Sequence, residues 1–108
     1  ARGVSYRIRF HPAVADDLDA ITRWLIDYAG PQSGARRLDE IEATIASLTD
    51  LPHKGSRRDE MAPGLRAIPA GRKAVIAFTV DDDAHEVHIH AVTYAGADWI
   101  TRSKSRGR

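Results

Sequence analysis

Among the residues that do chemistry, the most closely spaced are three histidines that follow a run of aspartates. His85, His88 and His90 come directly after Asp81, Asp82 and Asp83, and imidazole and carboxylate are side chains that hold divalent metals. The spacing argues against a metal centre. A site needs three or four convergent donors, whereas a strand with one polar face produces His-x-His by solvent exposure alone. The aspartate run also lacks the glycine and distal glutamate of a calcium loop and reads as a polar hairpin turn, so no metal and no cofactor are expected. Positive charge is a second feature: Lys54, Arg57, Arg58, Arg66, Arg72 and Lys73 fall within twenty residues that hold only Asp59 and Glu60 as acids. The 108 residues include no cysteine, which removes disulfides, thiolate metal sites and cysteine nucleophiles.

That positive charge is local. The formal net charge is +1, but four basic residues lie in the last seven, and without them 12 basic residues stand against 15 acidic ones, a body of about −3. Such a body is not a general nucleic-acid binder. The length suits one small domain with one core, taken as residues 1–101, and a basic tail, 102–108, that is expected to be disordered and reads either as a target-binding arm or as a segment without a role. No apolar run approaches the roughly 18 residues of a membrane span and the N-terminus has no secretory core, so the expectation is a soluble, cytoplasmic protein with no membrane partner.

The elements that must position these residues follow from periodicity. Val4, Tyr6, Ile8 and Phe10 alternate with Ser5, Arg7, Arg9 and His11, which predicts a strand over Val4 to Phe10 with one buried face. Pro12 suits the first position of a helix, Asp16 and Asp17 complement its positive end, and Val14, Leu18, Ile21, Leu25 and Tyr28 form its buried stripe. Ala29-Gly30-Pro31 ends it. A second helix is expected from an N-cap near Ser33, with Leu38, Ile41, Ile45 and Leu48 inward, until Leu51-Pro52. The short connection predicts an antiparallel helical hairpin. His53 to Gly64 reads as a loop, Leu65 to Ala70 as a short strand best placed at an edge because of Pro69, Gly71-Arg72 as a turn, and Ala74 to Val80 and Glu86 to Tyr94 as two more strands. In the last of these, Val87, Ile89 and Ala91 alternate with His88, His90 and Val92. The order β-α-α-β-β-β is α+β, an antiparallel sheet packed against an N-terminal helical hairpin.

Several pieces, in order, resemble the ParE toxins of bacterial type II toxin–antitoxin systems, within the wider ParE/RelE superfamily. They are Phe10-His11-Pro12-Ala13, Asp17-Leu18 with Ile21, Leu48-Thr49-Asp50-Leu51-Pro52, Gly64-Leu65-Arg66, Pro69-Ala70-Gly71-Arg72, and Val92 with Asp98-Trp99. The resemblance covers nearly the whole chain. It implies a plasmid-stabilisation type of toxin, held inactive in a hetero-oligomer by a cognate antitoxin, a ParD-like ribbon-helix-helix DNA-binding protein whose disordered segment folds on the toxin. For ParE-like members the implied target is DNA gyrase; for RelE-like members the implied activity is cleavage of mRNA on the ribosome, with the RNA's own 2′-OH as nucleophile. Arg66 stands where the family keeps a strand arginine. With Arg72 and Lys73 it would bring two or three cations together on the sheet face, and Tyr94 or His90 would stand in for the acid or base. Ala95-Gly96-Ala97 departs from the family's more basic run, and the acidic body offers no broad RNA-binding surface. Gyrase inhibition without catalytic residues is therefore the preferred reading, and Arg66, Arg72 and Tyr94 are the catalytic candidates of the nuclease alternative. Trp24, Tyr28, Arg66, Ile68, Arg72, Lys73 and Trp99 are the expected target or antitoxin interface. At 100° per residue Trp24 lies about 60° from the first helix's stripe, which reads as flanking core or as a partly exposed anchor, with core preferred and Ile26 further round.

Overall fold

A computed structural model describes residues 5–94. Trp99 and the basic tail lie outside these. The element order is β1 (Arg7–Phe10), α1 (Val14–Ala29), α2 (Pro31–Ser47), β2 (Ser56–Arg57), β3 (Arg66–Ala70), β4 (Ala74–Asp81) and β5 (Glu86–Tyr94). The strands form one five-stranded sheet in the order β1-β5-β4-β3-β2. The three-strand meander β3-β4-β5 is antiparallel as expected, but β1 joins beside β5 in parallel, Arg7 opposite Glu86 through Phe10 opposite Ile89. The sheet is therefore mixed. Alternation along β1 predicts one buried face, but only Ile8 is partly buried and Phe10 is 52% exposed, and it says nothing about which neighbour the strand pairs with.

Helix α1 starts two residues later than Pro12 suggests. His11 closes its first turn, with Ala13 N donating to His11 Nδ1 at 3.0 Å and Val14 N to His11 O. Val14, Ile21 and Leu25 are buried, and so is Asp17, on the same face. Helix α2 begins at Pro31 rather than near Ser33. A single residue, Gly30, links the two helices at φ 86°, a conformation that glycine adopts without steric cost, and proline's fixed φ suits the first helical position that follows. The helices then pack closely because Gly34 has no side chain: a Cβ there would lie 3.3 Å from Leu25 Cβ.

Both helices cover one face of the sheet. Val14, Ile21, Leu25, Ile41, Ile45 and Leu48 meet Ile68, Ala70, Ile76, Phe78, Val87, Ile89 and Val92 in the main core. The segment expected as a loop, 53–64, contributes the two-residue strand β2, paired with Arg66 and Ala67, and lays Met61 and Ala62 over the opposite face, on Leu65, Ala77 and Ala91. A pairing of two residues is too short to leave a periodic signal.

Strand β5 departs from simple alternation. Ala77 pairs with Ala91 but Phe78 with Ile89, so His90 is an extra residue in the ladder. This β-bulge switches the phase of the strand. Val87 and Ile89 face the helices, and beyond the bulge it is Val92 that does so, while Ala91 belongs to the second core. The expected set Val87, Ile89, Ala91 is thus split between two faces.

Beyond Ile89, β5 has no strand on its β1 side among the described residues. There α1 supplies the acceptor: Asp17 Oδ2 takes the Val92 N–H at 3.1 Å in a buried contact. A carboxylate that the sequence offers as a helix-dipole partner is thus a clamp between α1 and the sheet.

Candidate functional site

The candidate residues divide between the two ends of the β3–β4 hairpin. Arg66 pairs with Phe78 at one end, and Ala70 pairs with Ala74 at the other, just before and after the turn that carries Arg72 and Lys73. Four residue steps along the strand separate Arg66 from Ala70, about 13 Å at 3.3 Å per residue. Along the strand axis Arg66 therefore stands at the opposite end of β3 from the turn that carries Arg72 and Lys73.

At the turn end, Arg72 and Lys73 are exposed and Ala74, which follows them, pairs with Tyr94. The Tyr94 ring lies 5.6 Å from that of Trp24, and Trp24 lies 4.9 Å from Tyr28. Trp24 is 42% exposed and Tyr28 74%. Trp24 thus takes the exposed of the two places open to it rather than the preferred core one, and Tyr28, on the predicted stripe of α1, is the most exposed large hydrophobic residue there. Together they make an aromatic ledge beside two cations. Ile26, also exposed, lies 200° round the helix from Trp24 and forms no part of it. Ile68 belongs to no surface. It is 7% exposed and packs in the main core, since β3 turns Ile68 and Ala70 toward the helices. Its expected place in the interface is corrected to a core position.

The other end holds an arrangement that the sequence does not reveal. Asp82 Oδ1 accepts a hydrogen bond from Tyr6 Oη at 2.7 Å and one from His53 Nε2 at 2.8 Å. The main-chain carbonyl of His53 accepts from an Arg66 guanidinium nitrogen at 2.9 Å. The Tyr6 ring meets His85 edge-on at 5.2 Å and His53 at 6.1 Å, and Tyr6 N donates to Thr49 O. The phenol's hydrogen bond holds the Asp82 carboxyl below the usual carboxylate range, helped by His53 and by the charges of His53 and Arg66. The same bond raises Tyr6 above the usual phenol value. Tyr6, His53, Arg66 and Asp82 come from four separate segments. In the sequence they read as a strand residue, a loop residue, a strand cation and a turn residue, and no motif links them.

The remaining histidines have local partners on the face away from the helices. His88 Nε2 donates to Glu86 Oε1 at 3.0 Å, and Glu86 also receives Arg9 at 3.3 Å. His90, at the bulge, lies with Nε2 2.9 Å from Thr79 Oγ1. Burial, then the charges of His88 and His11, lower its pKa below the ordinary imidazole value. Among the described residues no three His, Cys, Asp or Glu side chains are grouped to hold a metal, and no helix is long and apolar enough to cross a membrane.

Against known proteins, residues 8–99 match the family model described as ParE toxin of type II toxin–antitoxin system, parDE. No curated protein matches the sequence. Among solved structures, the chain is similar to one of the chromosomal ParDE toxin–antitoxin system from P. aeruginosa, with 22% identity, TM-score 0.72, and coverage of 85% of this chain and 98% of that one. It is also similar to a double-arginine mutant of E. coli toxin RelE in the free state, with 13% identity, TM-score 0.69 and coverage of 95% and 98%. A third is the toxin–antitoxin complex RelBE2 from Mycobacterium tuberculosis, with 21% identity, TM-score 0.58 and coverage of 90% and 98%. At these identities the likeness is one of fold.

Proposed function

We propose, from the premise that this chain belongs to the ParE toxin family of type II toxin–antitoxin systems, that it acts by binding: it inhibits DNA gyrase and is neutralised by a cognate, ParD-like antitoxin. The observation that carries this reading is the division of the nuclease candidates. Phosphodiester cleavage needs cations and an acid or base around one reacting phosphate, and Arg66 lies a hairpin's length from Arg72 and Tyr94. What the surface offers instead suits a protein partner. Exposed Trp and Tyr beside Arg are the residue types that anchor interfaces, and Trp24, Tyr28, Arg72 and Lys73 supply them at one end while Arg66 stands at the other. The interface comprises these five residues, with Trp99 as a further member on the family pattern. An antitoxin that spans both ends would bury the ledge and the arginine together, which fits an extended segment that folds on its partner. The cytoplasm, where gyrase and DNA meet, is the site of action.

One observation favours the nuclease alternative: Arg72, Lys73 and Tyr94 do lie at the same end of the sheet. The test separates the two. The chain is induced alone in bacteria, and thymidine and methionine incorporation are followed over the first minutes. The proposal expects DNA synthesis to fall first, and the purified protein to inhibit gyrase supercoiling at micromolar concentration. Early loss of protein synthesis, or untouched supercoiling by folded protein, refutes it.

A further inference from the structure

Arg66 is an interface candidate tied into a chain of polar contacts. Its guanidinium donates to the His53 carbonyl at 2.9 Å and makes no other hydrogen bond among the described residues, so its remaining N–H groups are available for a partner. The carbonyl that holds it belongs to a residue whose own ring is tied to Asp82 Oδ1, and that oxygen is tied to the Tyr6 hydroxyl. Tyr6 is anchored in turn through its main-chain N–H to Thr49 O, at the end of α2. The links run through segments that are far apart in sequence and are brought together by the pairing of β1 with β5 and of β3 with β4.

We infer that Tyr6, Asp82 and His53 are positioning residues that set the Arg66 guanidinium for a carboxylate on the partner protein; this rests on the binding reading proposed above. A free arginine side chain is long and loses much rotamer freedom when it is fixed in a complex. Holding one guanidinium nitrogen on a fixed carbonyl removes part of that loss before the partner arrives, and leaves the rest of the fork for the two-pronged contact that guanidinium makes with carboxylate. Asp82 has a second property that makes the inference testable by sign. It is a negative charge beside the arginine, so on charge alone it opposes an acidic partner.

The experiment uses purified DNA gyrase as the probe and the inhibition of supercoiling as the readout, on Asp82→Ala, Tyr6→Phe, Arg66→Ala and the Asp82→Ala/Arg66→Ala pair. Equal melting temperatures serve as the folding check. Positioning predicts that Asp82→Ala raises the inhibitory concentration about three- to tenfold, and that Tyr6→Phe acts in the same direction by less. In the Arg66→Ala background Asp82→Ala should have no further effect. A lower inhibitory concentration for Asp82→Ala, the result of simply removing a like charge, overturns the inference, as does an undiminished effect in the absence of Arg66. Should Asp82→Ala fail the folding check, Tyr6→Phe carries the test alone, because it deletes one hydroxyl. Inhibition that is lost in Arg66→Ala but unmoved by both other variants sinks the positioning role and leaves the binding reading standing. If the parent protein does not inhibit gyrase, the binding reading falls, and NMR of the Arg66 guanidinium decides the positioning: slow rotation in the parent and averaging in Tyr6→Phe support it, and identical signals refute it.

Discussion

Asp17 offers the sharpest test of how this fold is held together. It is 4% exposed and accepts the buried Val92 N–H at 3.1 Å, at the point where β5 has run past the end of β1. Asp17→Leu removes a charge-assisted hydrogen bond, a type worth about 1.5–3 kcal/mol, and leaves an amide buried without its acceptor, at about 1–3 kcal/mol. These are two views of one lost pair and do not add, so the expected cost is roughly 2–3 kcal/mol. Against a total stability of about 5–15 kcal/mol that is a large fraction. At about 4–8 °C per kcal/mol for a domain near 100 residues, the melting temperature should fall by roughly 10–20 °C. Asp17→Asn keeps an oxygen acceptor and should lose about half as much. Asp16→Asn, in the same helical turn but exposed, isolates the dipole contribution, about 0.3–1 kcal/mol. Thermal and urea unfolding followed by circular dichroism give the energies, and hydrogen exchange at the Val92 amide gives the location. If Asp17→Leu and Asp17→Asn cost the same, or Val92 exchanges no faster in Asp17→Leu, the clamp does not work as described.

Further outcomes follow from the same structure. Ile68→Ala removes a buried core side chain and should cost about 2–5 kcal/mol in chemical denaturation; an unchanged midpoint with weakened partner binding would return Ile68 to the surface. Tyr28→Ala should leave the melting temperature within about 2 °C while weakening gyrase inhibition at least tenfold, as expected of an exposed aromatic anchor; unchanged inhibition would remove the ledge from the interface. Gly34→Val pushes a side chain against Leu25, 3.3 Å from where its Cβ would lie, and should destabilise by about 1–3 kcal/mol, read from the urea midpoint. His90 is held below the ordinary imidazole range by burial and by His88 and His11. The unfolded chain, with histidine near 6.5, therefore binds more protons than the folded one in the window just below that value. Stability from this residue is fully present above about pH 6.5 and lost as pH falls toward the lower folded value, and His90→Gln should flatten that limb of the stability–pH curve.

Helix α1 is readable because it buries a stripe long enough to repeat, and strand β5 because Val87 and Ile89 alternate with Glu86 and His88 before the bulge breaks the pattern. The helix starts are less readable, since His11 closes the first turn of α1 through its main-chain carbonyl and a ring nitrogen and Gly30 reverses the chain in one residue, so neither presents the usual Ser, Thr, Asp or Asn signal. The bulge at His90 is invisible, because one extra residue in a ladder depends on how the facing strand β4 pairs. Of the site residues, those adjacent in sequence, Arg72 and Lys73, stay together. Arg66, Trp24 and Tyr94 are sorted only by where β3, α1 and β5 lie.

The sequence by itself determined what can be decided by near neighbours along the chain: two amphipathic helices, a meander of three strands, a charge balance that argues against general nucleic-acid binding, and the ordered pieces that resemble ParE toxins. The tertiary structure alone decided what depends on distant segments meeting. It set β1 parallel beside β5, moved Ile68 into the core, turned Asp17 from a dipole partner into a clamp, and drew Tyr6, His53 and Asp82 around Arg66. The physical reason is that periodicity records which side of an element is buried. Pairing, phase beyond a bulge and polar contacts are fixed by the surface that each element finds across from it.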